Sequence, residues 1–207
     1  MTRDTDQETD GRRRRGARRR TQLIDAAVRV IARDGVAGLT HRGVAAEAGV
    51  PKSAATYYFT SLDDLLTAAL RADTEQLVEA LPTPAGDSDV AWLAEELVRF
   101  VHQHRDRVIV GYELYVLATR RPSLRPAVHY WLDVLHTLIG RHTADPTRVR
   151  AGAAAVDGYI LQSLVTGVEP RTAELAEILR VALHQPRDPA LHGADRRRPS
   201  PDRAPGG

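Results

Sequence analysis

The chain has 207 residues, an apolar fraction of 43% and no cysteine. That length and apolar content support a folded core in one larger or two smaller domains, which excludes disorder of the whole chain. Without cysteine there are neither disulfides nor thiolate metal ligands. The sequence contains no apolar stretch of about 18 residues and no apolar segment of a secretory signal. The expected location is therefore the cytoplasm, without a membrane partner.

The net charge of +2 is unevenly distributed along the chain. Residues 11–60 carry eleven Arg or Lys and three acidic residues, a net charge of +8, whereas residues 61–185 carry seventeen acidic residues and twelve arginines, a net charge of −5. A basic N-terminal third on an acidic body indicates that one end of the molecule meets a polyanion.

The N-terminus predicts a basic arm and then a helix. Residues 1–18 lack apolar periodicity and contain most of the run RRRRGARRR, which predicts a disordered arm. Over residues 19–34, apolar side chains recur at the three- and four-residue spacing of one helical face, and Gly35 provides a stop. The first helix is therefore predicted from residue 19 to residue 34.

Two short helices follow, joined by a connection that is typical of a helix-turn-helix. Thr40 can cap the first of them, and Pro51 suits the first turn of the second. Ala45 is small where the two helices would cross, Gly49 can adopt a positive φ, and Val50 can pack in the angle between the helices. Many helical corners share this pattern, but the basic arm and the N-terminal position favour DNA binding.

The rest of the chain predicts further helices and few strands. A fourth helix over residues 62–81, with Ser61 as its N-cap, leads to the break LPTPAGD. The remaining helices are predicted over residues 88–104, 107–120, 123–141, 146–167 and 172–184. Residues 186–207 are rich in Pro, Arg and Gly, which predicts a disordered tail. The predicted fold is all-α, with about nine helices.

The segment GLTHRGVAAEAGV, with the proline-led helix that ends in TYYF and the following SLDDLL, resembles the N-terminal DNA-binding region of the TetR family of bacterial transcription regulators. The resemblance is close over residues 19–70. It implies a helix-turn-helix DNA-binding domain over residues 19–61 and an effector-binding and dimerisation domain over residues 62–185. It also implies a homodimeric repressor that binds a pseudo-palindromic operator in double-stranded DNA and is released by a small-molecule effector.

The resemblance assigns DNA contacts to the two short helices. Thr40 matches a threonine that suits a phosphate, and Arg42 is placed to pair with guanine in the major groove. The expected contacts are Thr40, His41, Arg42, Lys52, Ser53, Ala54, Thr56 and Tyr57. Tyr57 and Tyr58 are about 100° apart on a helix, and we expect Tyr57 to face outward and Tyr58 to be partly buried. Leu62 replaces a lysine that is common in the family, so a helical sensor or protein-binding module with little DNA binding remains an alternative.

Aromatic and histidine side chains of the C-terminal helices are candidates for an effector pocket, although such residues are more often core. The candidates are Trp92, Tyr112, Tyr115, His129, Tyr130 and Trp131. Because the family dimerises through its last two long helices, the resemblance places the subunit interface on residues 146–167 and 172–184. The interface residues expected there are Val156, Ile160, Leu164, Leu175, Ile178 and Leu179.

The sequence contains no recognisable catalytic constellation. It has no nucleophile with a nearby base, no glycine loop that would bind phosphate and no spaced carboxylate pair. It also lacks a histidine pair at i and i+4 with a third ligand. We therefore expect a protein that is not an enzyme and that uses neither a metal nor a cofactor.

Overall fold

The computed structural model describes residues 3–81 and 89–183, with the side chains of residues 3–10 and 12 omitted. Within these residues the chain forms nine α-helices and no strand. They are α1 (Arg3–Asp34), α2 (His41–Glu47), α3 (Lys52–Tyr58), α4 (Leu62–Ala80), α5 (Val90–Gln103), α6 (Arg105–Leu117), α7 (Arg125–Gly140), α8 (Pro146–Thr166) and α9 (Thr172–Ala182). The all-α prediction is confirmed, and the predicted tail over residues 186–207 lies outside the described residues.

The first helix is longer than predicted, because α1 begins at Arg3 rather than at residue 19. The segment that was predicted as a disordered arm is therefore helical over residues 3–18. It contains no proline, and Arg, Gln and Glu are good helix formers. Apart from Arg3, its arginines follow its acidic residues in the sequence, which is the order that suits the helix dipole.

Local signals fix the ends of α2 and the start of α4. The Thr40 hydroxyl oxygen accepts a hydrogen bond from the Gly43 N–H at 2.9 Å and caps α2. Gly49 has a φ of 65°, which lets the chain turn sharply after α2. Ser61 and Asp64 form a reciprocal capping box at the start of α4, with both hydrogen bonds at 3.0 Å. These ends agree with the prediction.

The first core lies among α1, α2, α3 and the first half of α4, and it continues to α6. Its buried side chains include Leu23, Ile31, Val44, Ala55, Phe59, Leu65 and Leu114. Ion pairs from Arg29 and Arg33 to Glu47, at 2.7 and 3.1 Å, add to the contact between α1 and α2. The helix-turn-helix therefore packs on the same helix, α4, that leads into the rest of the molecule.

The second core lies among the last turns of α4 and helices α5 to α9. Helix α9 packs on α5, and α8 lies against α7 and α9. Its buried side chains include Leu77, Leu93, Leu135, Ile139, Leu175, Leu179 and Leu183. No helix among residues 3–81 and 89–183 has both the length and the apolar character that crossing a membrane requires.

Ion pairs also connect helices α1 and α4 to later parts of the chain. Arg121 donates to Asp63 at the start of α4 at 2.8 Å. Arg107 of α6 donates to Asp25 of α1 at 2.9 Å. Helices α4 and α6 each contact both cores.

Candidate DNA-binding surface and effector cavity

The exposed surface of α2 and α3 carries most of the predicted DNA contacts. Arg42, Lys52 and Ser53 are exposed, and Tyr57 is 79% exposed. Tyr58 is partly buried against the first core, so the two tyrosines face as expected. An outward tyrosine and two cations on adjacent short helices form a surface that can contact phosphates and base edges.

Other predicted contacts have roles within the protein. The Nε2–H of His41 donates to the carbonyl of Phe59 at 3.1 Å, so His41 ties α2 to the end of α3 instead of pointing freely outward. The Thr56 hydroxyl is exposed but donates back to the Ser53 carbonyl of its own helix at 3.2 Å. Ala54 is partly buried. Thr40 is exposed, and its capping bond uses the hydroxyl oxygen, which leaves the hydroxyl hydrogen for a phosphate.

The basic segment of α1 runs beside the recognition helix α3. The guanidinium of Arg20 lies over the ring of Phe59, 5.2 Å from its centroid. A Cβ added at Gly16 would lie 3.6 Å from the Tyr58 hydroxyl. Further arginines along this segment are exposed: Arg13, Arg15, Arg18 and Arg19. The positive surface of the helix-turn-helix thus extends along α1.

A cavity of about 50 Å³ lies among α4, α5, α6, α7 and α8. This space suffices for a few water molecules. Its walls are Leu70, Asp73, Thr74, Leu77, Leu97, Phe100, Val101, Val108, Gly111, Tyr112, Tyr115, Trp131, Val156 and Ile160. Three predicted pocket residues, Tyr112, Tyr115 and Trp131, are on this wall.

The other three predicted pocket residues are not on the wall. His129 is exposed, and Tyr130 lies on the outside of α7, where the guanidinium of Arg71 is 4.5 Å from its ring centroid. Trp92 packs against the second core without reaching the cavity. Residues 129–131 are consecutive on one helix, so their side chains diverge by about 100° each and only Trp131 turns inward.

Asp157 of α8 orients two of the aromatic side chains. Its Oδ1 accepts hydrogen bonds from the Tyr112 hydroxyl and from Trp131 Nε1, each at 3.2 Å. Burial raises the pKa of Asp157, and these two hydrogen bonds partly offset that rise. Burial, together with the nearby Asp157 carboxylate, also raises the pKa of Tyr112. Asp157 is thus a satisfied carboxylate that fixes two rings.

Asp73 of α4 is a carboxylate on the cavity wall itself, and its Oδ1 lacks such partners. Part of its side chain remains accessible where it lines the cavity, whereas its Oδ1 is enclosed and has no hydrogen-bond partner. Burial raises the pKa of Asp73 to about 7, although the positive charge of Arg107 acts to lower it. Sequence reasoning missed this residue, although an acid at helical spacing from Leu70 and Leu77, on an apolar face, was a usable signal.

The predicted interface residues on α8 and α9 are largely internal. Val156 and Ile160 are 1% and 3% exposed and line the cavity, while Leu175 and Leu179 are fully buried in the second core. The assignment of these four residues to the subunit interface is therefore wrong, because their apolar faces pack inside the protomer. Leu164 and Ile178 are partly buried. The large apolar side chains that these helices expose are Leu161, Val165 and Val181.

Comparison with known families agrees with this architecture. The family model described as "Bacterial regulatory proteins, tetR family" matches residues 23–69, and the one described as "Tetracyclin repressor-like, C-terminal domain" matches residues 85–185. The chain belongs to the TetR family. This TetR-family chain is thus a transcriptional regulator with an N-terminal helix-turn-helix domain and a C-terminal ligand-binding domain. Within its described residues no three His, Asp or Glu side chains cluster as metal ligands.

Individual relatives cover most of this TetR-family chain. The HTH-type nicotine-responsive transcriptional repressor HdnoR of Paenarthrobacter nicotinovorans is 29% identical over 78% of this chain and 91% of its own length. The HTH-type transcriptional regulator BetI of Rhizobium meliloti (strain 1021) is 32% identical over 70% of this chain and 78% of its own. The crystal structure of the multidrug binding protein EbrR with ethidium is 41% identical, with a TM-score of 0.69, over 79% of this chain and 98% of that one.

Proposed function

We propose that this protein is a homodimeric repressor that binds a pseudo-palindromic operator through α3 and leaves it when a small molecule occupies the cavity. The observation that carries the proposal is the continuity between the two sites. Helix α4 begins at Leu62, directly behind the exposed surface of α2 and α3, and its Asp73 lines the cavity. A cytoplasmic location is part of this proposal.

Release follows from the small size of the cavity. A cavity of about 50 Å³ holds only a few water molecules, so we expect an organic ligand to enlarge it by moving α4, α6 or α8. Displacement of α6 acts on the first core through Arg107 and also through Glu113, whose carboxylate accepts the Val36 N–H at 3.0 Å before α2. The effector then favours a spacing of the two DNA-binding domains that does not fit the operator.

The relatives support a small organic effector. HdnoR is described as nicotine-responsive. EbrR has been crystallised with ethidium, proflavin and malachite green. In this chain, a cavity with aromatic walls and one carboxylate is suited to molecules of that general kind.

DNA contact by α2 and α3 is tested with Arg42→Ala and Lys52→Ala, on an operator obtained by selection from random DNA. Each contact occurs in both half-sites, and one good base contact contributes about 1–3 kcal/mol, so we expect each variant to weaken operator binding by at least about tenfold in a gel-shift assay. If Lys52 binds a phosphate, its removal also lowers the salt dependence of binding.

The matched control is Arg141→Ala, which removes an exposed arginine directly after α7 and away from α3. It should leave affinity and salt dependence unchanged. Undiminished operator binding by both Arg42→Ala and Lys52→Ala would contradict the assigned surface.

The subunit interface is proposed on the outer faces of α8 and α9. Val165 and Val181 are 78% and 66% exposed, and Leu161 adds to the same outer surface. Along α8 they are accompanied by small residues, and a Cβ added at Gly158 would meet nothing within 4 Å in the protomer. Small side chains on a helix let a second helix approach closely, so this face suits a two-fold helix contact.

Val165→Asp is expected to weaken the dimer by at least about 100-fold, or about 2.8 kcal/mol, because two-fold symmetry places both copies in the interface. Sedimentation across a concentration series measures the change. Val116→Asp on α6, at a valine that is 55% exposed, is the control and should remain dimeric. A dimer that tolerates Val165→Asp unchanged would contradict this interface.

A further inference from the structure

We propose that the cavity selects an organic monocation with an apolar, aromatic-compatible body, and that Asp73 is the residue that neutralises its charge. The proposal rests on the proposed effector role of the cavity and names the chemical class of that effector.

The first argument is the charge of the cavity wall. Among residues 3–81 and 89–183, Asp73 is the only charged residue on the wall, and Thr74 contributes a hydroxyl there. Arg107, the cation that attracts Asp73, uses its Nη2 for Asp25 at 2.9 Å. The enclosed Oδ1 of Asp73 therefore has no hydrogen-bond donor. A buried carboxylate without a donor is costly, and a ligand that brings one positive charge removes that cost.

The second argument is the aromatic surface that faces this carboxylate. Tyr112, Tyr115 and Trp131 line the same cavity, and ring faces attract organic cations, most strongly when water is excluded. Asp157 holds Tyr112 and Trp131 through their polar atoms, which leaves the ring surfaces for the ligand. These hydrogen bonds hold the two rings in the empty protein, and the aromatic surface stays next to Asp73 when the helices move apart around a ligand.

The composition of the wall also limits which molecules it accepts. An anion would meet Asp73 without a cationic partner on the wall, and the second charge of a dication would be buried unpaired among aliphatic and aromatic side chains. A neutral molecule of the same shape requires the same helix displacement but leaves Asp73 unsatisfied. The wall therefore favours ligands with one positive charge over anions, dications and neutral molecules.

Proton linkage supports the same assignment. The groups around Asp73 are Arg107, Tyr112 and Tyr115 on α6 and, beyond Tyr112, Asp157 on α8. The wall residues from α5 and α7 are uncharged: Leu97, Phe100, Val101 and Trp131. With its pKa at about 7, Asp73 is partly protonated at neutral pH. A permanent cation binds the ionised form, so its affinity rises with pH between about 6 and 8.

The test uses two molecules of the same shape, phenyltrimethylammonium and its neutral carbon analogue tert-butylbenzene. Binding to the full chain is followed by calorimetry and by tryptophan fluorescence, to which both Trp92 and Trp131 contribute, without DNA. We expect the wild-type protein to prefer the cation, with an affinity that rises with pH. Asp73→Asn should lower the affinity for the cation at least tenfold, abolish its pH dependence, and leave the affinity for tert-butylbenzene within about twofold.

Glu79→Gln is the matched control, because Glu79 is an exposed carboxylate on the same helix and not on the cavity wall. It should bind both probes as the wild type does. The proposal is overturned if the wild-type protein shows no preference for the cation, or if Asp73→Asn keeps that preference.

A gel shift with the selected operator separates this proposal from the proposed function. If the protein binds the cation through Asp73 but stays on the operator, the ligand assignment stands and the release mechanism is wrong. If tert-butylbenzene releases the protein from the operator as readily as the cation does, the release mechanism stands and the ligand assignment is wrong.

Discussion

Asp73→Asn is expected to raise the free energy of unfolding, by about 2–4 kcal/mol at pH 8. Burial raises the pKa of Asp73 from its ordinary 3.8 to about 7 in the folded protein. The folded state therefore holds this proton more tightly than the unfolded chain does, and the wild-type protein loses stability as the pH rises from about 4 to 7. Asparagine carries no charge to bury, so the variant does not lose this stability.

The measurement is urea unfolding of both proteins at one protein concentration, at several pH values from 4 to 8. The stability difference should be near zero at the lowest pH, grow through pH 7 and then level off. Glu79→Gln on the exposed side of α4 should follow the wild type at every pH. A variant Asp73→Asn that is less stable than the wild type at pH 8 would show that the carboxylate is satisfied after all.

Together with the proposed cation preference, this result would show that Asp73 lowers the stability of the empty protein and strengthens ligand binding. The same substitution is expected to stabilise the empty protein and to weaken ligand binding. Residues whose removal stabilises a protein are typical of binding sites, where an unsatisfied group is retained for its ligand. Asp73 fits that description, whereas Asp157 already has both of its donors.

Leu179→Ala is expected to lower the free energy of unfolding by about 2–5 kcal/mol, the range for removing a large aliphatic side chain from a packed core. Leu179 is fully buried where α9 packs on α5, next to Leu175 and Leu183, which are 0% and 1% exposed. Three neighbouring buried leucines leave little room for the site to collapse around a cavity, so the cost should be in the upper half of this range.

Urea unfolding and sedimentation together distinguish a core role for Leu179 from an interface role. We expect Leu179→Ala to reduce stability even at concentrations where both proteins have the same subunit state. Val116→Ala, at an exposed position on α6, should change stability by less than about 0.5 kcal/mol. If Leu179→Ala instead dissociates the dimer and leaves the stability of the protomer unchanged, the original interface assignment is restored.

The features that sequence predicted well depend on residues close together in the chain. Thr40, Gly49 and Ser61 act within three or four residues of their own positions, through a capping hydroxyl or a permitted positive φ. The helix bounds from α2 onward lie within about three residues of the predicted ones for the same reason. The outward direction of Tyr57 likewise follows from the period of a single short helix.

The errors concern contacts between helices. The exposure pattern of α8 and α9 depends on which side meets α5, α7 and the cavity, and an apolar stripe looks the same whether it packs inside the protomer or against a partner. The sequence also did not indicate that the Nε2–H of His41, a DNA contact expected from the resemblance, donates to the carbonyl of Phe59, eighteen residues away. The start of α1 was predicted too late, because the high charge of residues 1–18 indicated disorder although this segment contains no proline.

The sequence by itself therefore determined an all-α TetR-family chain, its helix-turn-helix and the approximate ends of eight helices, since caps, glycines and apolar periodicity operate over short stretches. Only the tertiary structure decided which aromatic residues meet in a cavity and which leucines are internal. It also identified Asp73 as a carboxylate whose enclosed Oδ1 has no hydrogen-bond donor among the described residues. Burial depends on the packing of α4 against α5, α6 and α8, and no local pattern in the chain contains that information.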